Sequence, residues 1–227
     1  MQQSNRGVVY VVAKAPLPGT SKTRLCPPLR LDEAAALAAA FLLDTVAMVR
    51  RAGAVPRAIC RDAGEQALLR RLFGRAARVS VQAGQGLGAA LESAFCAGFG
   101  DGFRAVGVIG ADTPTLPSAV IRRAFAAVAG GADVALGPSD DGGYYLLVAR
   151  DLYGGLFRDM AWSTATVAEE TLARCRALGL RAQVLAGWYD IDDAAALGRL
   201  EAELAAGPPD LAPHTRAALA AALRLRA

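Results

Sequence analysis

Residues 7–25 read GVVYVVAKAPLPGTSKTRL, a short apolar run that opens into a loop holding every lysine of the chain. By its valines and its length, Gly7 to Ala13 reads as a buried strand. Pro16, Pro18 and Gly19 punctuate the loop behind it, and Lys14, Lys22 and Arg24 charge it. Of the 25 Lys and Arg residues only Lys14 and Lys22 are lysines; the rest of the basic charge is guanidinium. An ammonium is a compact point charge on a flexible stem, suited to a phosphate oxygen deep in a loop, whereas guanidinium binds as a planar fork. A merely solvated basic loop would not need both lysines in one place. The stretch is expected to be a phosphate-holding loop after the first strand.

The sequence GTSKT suggests a nucleotide-binding P-loop, but Ser21 stands where that pattern has its second glycine. A P-loop also needs a helix that begins at the lysine, so that the helix N-terminal amides meet the phosphates. Pro27 and Pro28 keep a helix from starting directly behind Lys22. The helix is expected later, from Leu31 to Arg51, with Asp32 and Glu33 in its first turn. The P-loop reading is rejected.

At 227 residues and 54% hydrophobic, the chain can bury one large core, and no linker interrupts its alternation of apolar runs and amphipathic stretches. A single domain over residues 1–227 is expected. The net charge of +4 is spread along the chain and aromatics make up only 6%, which favours a phosphorylated small molecule over nucleic acid as partner. Cys26, Cys60, Cys96 and Cys175 are dispersed without a C-x-x-C pair, as befits idle thiols in a reducing compartment. The polar start MQQSNRG carries no signal-peptide core, and no apolar run approaches the roughly 18 residues of a membrane span. A cytoplasmic protein without a membrane partner is expected.

Further strands are expected at Arg57 to Cys60, Arg78 to Gln82, Arg104 to Ile109, Asp133 to Gly137, Tyr144 to Ala149 and Arg181 to Leu185, with helices between most of them. The glycines Gly84, Gly86 and Gly88 follow the third strand; they let backbone approach a nucleotide, or they serve tight strand–helix packing. Asp112 sits just past the end of the fourth strand, where open α/β sheets bind ligands. It reads as a metal ligand rather than a helix cap, because Ser118 is itself a competent cap for the helix that follows. Asp140, Asp141, Gly142 and Gly143 lie between two apolar runs, as in a hairpin, but adjacent carboxylates invite a second role. Ser163 and Thr164 read as caps of a helix over Ala165 to Ala177, and one of Asp190, Asp192 and Asp193 as the cap of the next. A last alanine-rich helix, Ala212 to Arg226, is expected on the outside, where it offers a surface for a homo-oligomer.

The only histidine, His214, falls in that last helix, so histidine-based catalysis and a histidine-ligated zinc are improbable. Carboxylates for a hard divalent ion, Mg²⁺ or Mn²⁺, and a basic loop for phosphates remain. That inventory suits transfer chemistry on a nucleotide, in which the metal and the lysines neutralise a leaving phosphate.

The stretches KAPLPGTSKTRL, GADTPTL, GPSDDGGYYLL, WST with TVAEETL, and YDIDD occur in an order that resembles the DUF2064 proteins. These are glycosyltransferase-like members of the nucleotide-diphospho-sugar transferase superfamily. The resemblance spans Val8 to Leu197 and implies a GT-A-like three-layer α/β/α fold with a mixed, mostly parallel sheet. It implies that Lys14, Gly19, Lys22 and Arg24 form the nucleotide-phosphate loop, with Gly86 beside them. Asp112 would be the metal ligand, completed by Asp190 or Asp192. Asp141, Gly142, Gly143, Tyr144 and Trp162 would line the acceptor side. The family usually has a GDLGERM-like stretch where this chain has Gly86-Leu87-Gly88-Ala89-Ala90-Leu91, a variant similar to one in the 2-phospholactate guanylyltransferases.

The expectation is therefore a metal-dependent transferase that takes a sugar from a nucleotide-diphosphate sugar and gives it to a small-molecule acceptor. With no histidine to serve, Asp141 or Asp140 is the expected base. Two alternatives stand beside it. One is a nucleotidyltransferase that joins an NTP to a phosphorylated small molecule and releases pyrophosphate; the other is a nucleotide-binding domain without turnover.

Overall fold

The computed structural model describes residues 7–224. Of the sequence expectations, the polar start and the last residues of the C-terminal helix lie outside that range. The first strand, β1 (Val8–Val12), has its first four residues buried, as an apolar run that short must be in a sheet covered on both faces. Behind the loop, a single 3-10 turn at Thr23–Leu25 comes first, and the helix α1 (Leu31–Arg51) begins where expected. Its Glu33 side chain accepts from the Arg30 amide at 2.8 Å, and Arg50 and Arg51 complement the dipole at its other end.

The chain continues through β2 (Val55–Cys60), α2 (Ala63–Phe73), β3 (Arg78–Val81), α3 (Gly86–Gly100), β4 (Val106–Ile109), α4 (Ser118–Ala129), β5 (Val134–Pro138) and β6 (Tyr144–Ala149). It then forms α5 (Val167–Ala177), β7 (Ala182–Val184), α6 (Ala194–Ala206) and α7 (Pro213–Arg224). The seven strands make one sheet in the order β3-β2-β1-β4-β6-β5-β7. β1 pairs in parallel with both β2 and β4, β2 with β3, and β5 with β7, while β6 runs antiparallel between β4 and β5. The sheet is thus mixed and mostly parallel. The antiparallel strand follows from the Asp-Gly turn after β5, which folds the chain straight back on itself.

Alternation along β1 sends Val9 and Val11 to one face and Val8 and Tyr10 to the other. The first face packs on α1, α2 and α4 through Val46, Leu69 and Ile121; the second packs on α3 and α5 through Leu91, Phe95 and Cys175. Helices on both faces give the three layers. A third apolar cluster joins α1, α6 and α7 to the 3-10 turn, with Leu25, Phe41 and Ile191 fully buried. The C-terminal helix is fixed onto α1 by a long-range cap: the fully buried Asp44 carboxylate accepts from the amides of His214 (3.2 Å) and Thr215 (2.7 Å) and from the Thr215 hydroxyl (2.7 Å).

Two capping expectations are revised and a third is met. Pro117, not Ser118, is the N-cap of α4, and no side chain caps it; the Ser118 hydroxyl instead accepts from Arg122 at 3.2 Å. Helix α5 starts two residues later than expected, after Thr166, and the Thr164 hydroxyl donates to the Ala161 carbonyl instead of capping. Of the three late aspartates, Asp193 is the cap, accepting from Ala196 at 2.8 Å. That leaves Asp190 and Asp192 without a structural task at the helix end.

Candidate functional site

Crossovers from β1 lead outward to β2 and β3 on one side, whereas β4 lies on its other side. The carboxyl ends of β1 and β4 therefore flank a topological switch point, where an open α/β sheet leaves a crevice. A cavity of about 450 Å³ occupies it, and Lys14, Lys22, Arg24, Asp112, Tyr144 and Asp192 are among its lining residues. This volume lies in the range of small-molecule sites.

One wall is the loop after β1. It is knitted from inside by Ser21, which is buried; its hydroxyl donates to Ala15 O at 3.1 Å and accepts from the Leu17 amide at 3.2 Å. A glycine at this position, as in a P-loop, would lose that strut. The Thr20 and Ser21 amides both donate to Leu17 O at 3.1 Å, and Gly19 supplies the positive φ of 76° that the turn requires. Lys14 reaches across the loop to donate to Thr20 O at 2.7 Å.

The opposite wall is acidic. Asp112 follows β4, and Asp190 and Asp192 arrive on the segment after β7; the Ile191 amide donates to Asp112 O at 2.9 Å and sews the two together. Lys22 does not extend into open solvent from its loop but turns into this acidic wall. Its ammonium lies 2.8 Å from Asp112 Oδ1, 2.7 Å from Asp192 Oδ1 and 2.7 Å from Ile191 O. Burial raises the pKa of the Asp112 carboxyl, and the charge of Lys22 works against the rise. Burial also pushes Asp190 up to about 7, aided by the negative charges of Asp141, Asp112 and Asp192, while a hydrogen bond with Ser139 pulls the other way. Four carboxylates thus feel one another at this end of the sheet, and Lys22 is the ammonium set among them.

The donor set suits a hard divalent cation. Asp112, Asp192 and the Ile191 carbonyl turn three oxygens toward one point, and oxygen donors are what Mg²⁺ and Mn²⁺ prefer. Among the described residues no three acidic, histidine or cysteine side chains form a finished cation cage. Such an ion would complete its shell with water and substrate oxygens, as Mg²⁺ commonly does.

The remaining sequence candidates divide. Tyr144 lines the cavity; its hydroxyl is buried without a hydrogen-bond partner among the described residues, and burial raises its pKa strongly. Such an orphan is a ready contact for a polar ligand group. Asp141 forms the turn between β5 and β6, accepting from the Gly143 amide at 2.8 Å, and Asp140 pairs with Arg199 at 3.4 Å; neither lines the cavity. Gly142 is required by its φ of +86° and by Ala165 O, which would lie 1.9 Å from a Cβ. Gly86 also has a positive φ, 83°, and opens α3 beside the cavity-lining Leu87. Trp162 packs over α3, with Nε1 2.8 Å from where a Cβ on Gly88 would sit, so the third glycine of Gly84-Gln85-Gly86-Leu87-Gly88 serves close packing. Sequence reasoning missed the strut role of Ser21 and the pairing of Lys22 with Asp112 and, 170 residues away, with Asp192; only the buried context of Ser21 and the three-dimensional approach of the loops reveal them.

The model of a family described as "Uncharacterized protein conserved in bacteria (DUF2064)" matches residues 45–164. Among solved structures, the chain is similar to a protein of Desulfovibrio desulfuricans G20 described as a candidate nucleotide-diphospho-sugar transferase. The identity is 28%, the TM-score 0.85, and the match covers 94% of this chain and 93% of that one. Rv0371c of Mycobacterium tuberculosis H37Rv, solved in complex with manganese, shares the fold at 20% identity and a TM-score of 0.54, covering 87% of this chain and 98% of its own. So does a CMP:2-keto-3-deoxy-manno-octonic acid synthetase complexed with CTP, at 11% identity and a TM-score of 0.56, with 88% and 98% covered. No curated protein matches the chain. No helix among the described residues is long and apolar enough to cross a membrane.

Proposed function

The chain belongs to the DUF2064 family, and from that premise we propose that it is a transferase acting on a nucleotide-diphosphate sugar with the help of a divalent cation. The observation that carries this reading is the cavity at the β1–β4 switch point, basic on its loop wall and acidic on the other. A diphosphate bridged by a metal ion needs both kinds of wall: cations for its outer oxygens, carboxylates for the ion. The likeness to the Desulfovibrio protein over almost the whole chain supports the same substrate class.

In this reading Asp112 and Asp192 hold Mg²⁺ or Mn²⁺, and Asp190 stands close enough to sense their charge. The cation, when bound, supplies charge neutralisation at the diphosphate. Lys14, Lys22 and Arg24 bind the phosphate oxygens and stabilise the nucleotide as it leaves. The Tyr144 hydroxyl donates to the sugar or to a small-molecule acceptor. Asp141, on the neighbouring turn, where its Oδ1 accepts from Gly143, serves as the base that takes the acceptor proton.

A second reading, nucleotidyl transfer from an NTP to a phosphorylated small molecule, is favoured by one observation. Asp140 and Asp141 do not line the cavity, and an attacking phosphate needs little base catalysis. Calorimetric titration with Mn²⁺ of the common NTPs against UDP-, GDP- and CDP-sugars separates the two. Tight metal-dependent binding of one nucleotide sugar supports glycosyl transfer; preference for an NTP, with pyrophosphate released on turnover, supports the second reading; binding of neither refutes both. Asp112→Asn should lower turnover by about 10²–10³-fold, in line with loss of a transition-state electrostatic contact. Wild-type turnover in that variant would remove Asp112 from the site.

A further inference from the structure

We propose that Lys22 is a built-in rival of the divalent cation, so that metal and diphosphate bind this protein cooperatively, each releasing the ligands of the other. The proposal rests on the reading above, that Asp112 and Asp192 hold the ion. The ammonium donates to Asp192 Oδ1 and to Ile191 O, each at 2.7 Å, and forms an ion pair with Asp112 Oδ1 at 2.8 Å. Those are the same hard oxygens that a divalent ion would use. The side chain is only 10% exposed, and its backbone sits in the left-handed region at φ 52°, so the loop is shaped to aim this residue inward.

An ammonium and a divalent ion cannot share these oxygens, because two cations at such a distance repel strongly in a half-buried site. Metal entry must therefore evict Lys22. Eviction also takes the ammonium away from the buried Phe41 ring, whose centroid lies 5.8 Å from it, so leaving is costly unless the ammonium finds new acceptors. Lys14 and Arg24 line the same cavity, so phosphate oxygens bound there lie within the swing of its four-carbon stem and provide them. Conversely, a diphosphate that draws Lys22 away leaves two carboxylates uncompensated next to added negative charge, and only a cation resolves that. The coupling is reciprocal by linkage. Metal alone is held weakly, diphosphate alone is held weakly, and the pair is held well. Such an arrangement keeps the site from trapping a free metal ion and makes the metal–nucleotide complex its proper ligand.

The test begins with Mn²⁺ alone, titrated into chelator-treated protein and followed by the electron paramagnetic resonance signal of the free ion. Lys22→Met should bind Mn²⁺ at least tenfold more tightly than wild type, whereas Lys22→Arg, which keeps a cation, should stay within threefold of it. In saturating Mg²⁺, Lys22→Met should bind inorganic pyrophosphate at least tenfold more weakly. Equal Mn²⁺ affinity in wild type and Lys22→Met overturns the proposal and leaves the metal reading intact; no Mn²⁺ binding by either protein at millimolar concentration overturns both. Should Lys22→Met fail to fold, the wild-type chain still answers. Its only two lysines give two ¹⁵Nζ signals, assigned with Lys14→Arg. The Lys22 signal should move when Mg²⁺ and pyrophosphate are added together and stay in place with Mg²⁺ alone at the same concentration. A signal that ignores the pair, while calorimetry registers their binding, refutes the swing.

Discussion

Replacing Gly142 by alanine tests whether the turn after β5 is held by backbone geometry or only by its neighbours' side chains. Gly142 has φ +86°, a conformation that costs an L-residue about 1–2 kcal/mol. A methyl there would also sit 1.9 Å from the Ala165 carbonyl oxygen, a backbone atom with little room to retreat. The Ala168 amide donates to Gly142 O at 2.9 Å, so pushing the two segments apart forfeits this bond, worth about 1 kcal/mol. Repacking the entrance of α5 adds about 1–3 kcal/mol. Allowing for partial relief of one cost by another, Gly142→Ala should destabilise the protein by about 3–5 kcal/mol. Gly143→Ala is the control. There the new methyl meets Asp141 Oδ1 at 3.1 Å, the end of a flexible side chain, and φ is not positive, so the cost should stay below about 1 kcal/mol. Urea denaturation of both variants beside the wild type gives the two differences. If they agree within about 1 kcal/mol, the strained turn is not what joins the hairpin to α5, and the reasoning fails.

The buried cap of α7 should be as demanding. Asp44→Ala strands two amides and one hydroxyl and should cost about 2–4 kcal/mol in the same assay, with faster amide exchange concentrated in α7; unchanged exchange there would refute the cap. Asp133 accepts from the Arg181 amide at 2.7 Å, and that hydrogen bond, with Arg150 and Tyr153 nearby, holds its carboxyl below the usual carboxylate range. A depressed folded-state pKa contributes stability above the unfolded value, about 4, and loses it as pH falls through the folded value. Asp133→Asn should therefore lower the urea midpoint at pH 7, with the gap to wild type closing below pH 4; a gap independent of pH would contradict it.

Much of the scaffold was legible because it depends on local pattern. The valine run of β1, the acidic first turn of α1 and the Asp-Gly turn before β6 each fix their element from a handful of neighbouring residues. The position of Asp112 past β4 was legible for the same reason, since its place follows from the strand. Caps were less so. Ser118 and Thr164 have the right chemistry, but a cap also needs the backbone at its own position to leave the helix, and a sequence does not display φ and ψ. Contacts between distant loops were illegible altogether. Lys22 reads as a phosphate ligand when only its loop is considered; that it lies against Asp112 and Asp192 emerges only once β1, β4 and the segment after β7 are brought side by side.

The third apolar cluster has a consequence for how such a site can diversify. Leu25 ends the basic loop and Ile191 stands between the two late aspartates, and both are fully buried in that one cluster. The spacing of the opposite charges is thus set by oil beneath them rather than by the charges themselves. Tyr144 and the residues of the β5–β6 turn stand outside this cluster. Gly142 apart, mutation there is free to explore new acceptors generation after generation, while the grip on phosphate and metal stays inherited unchanged.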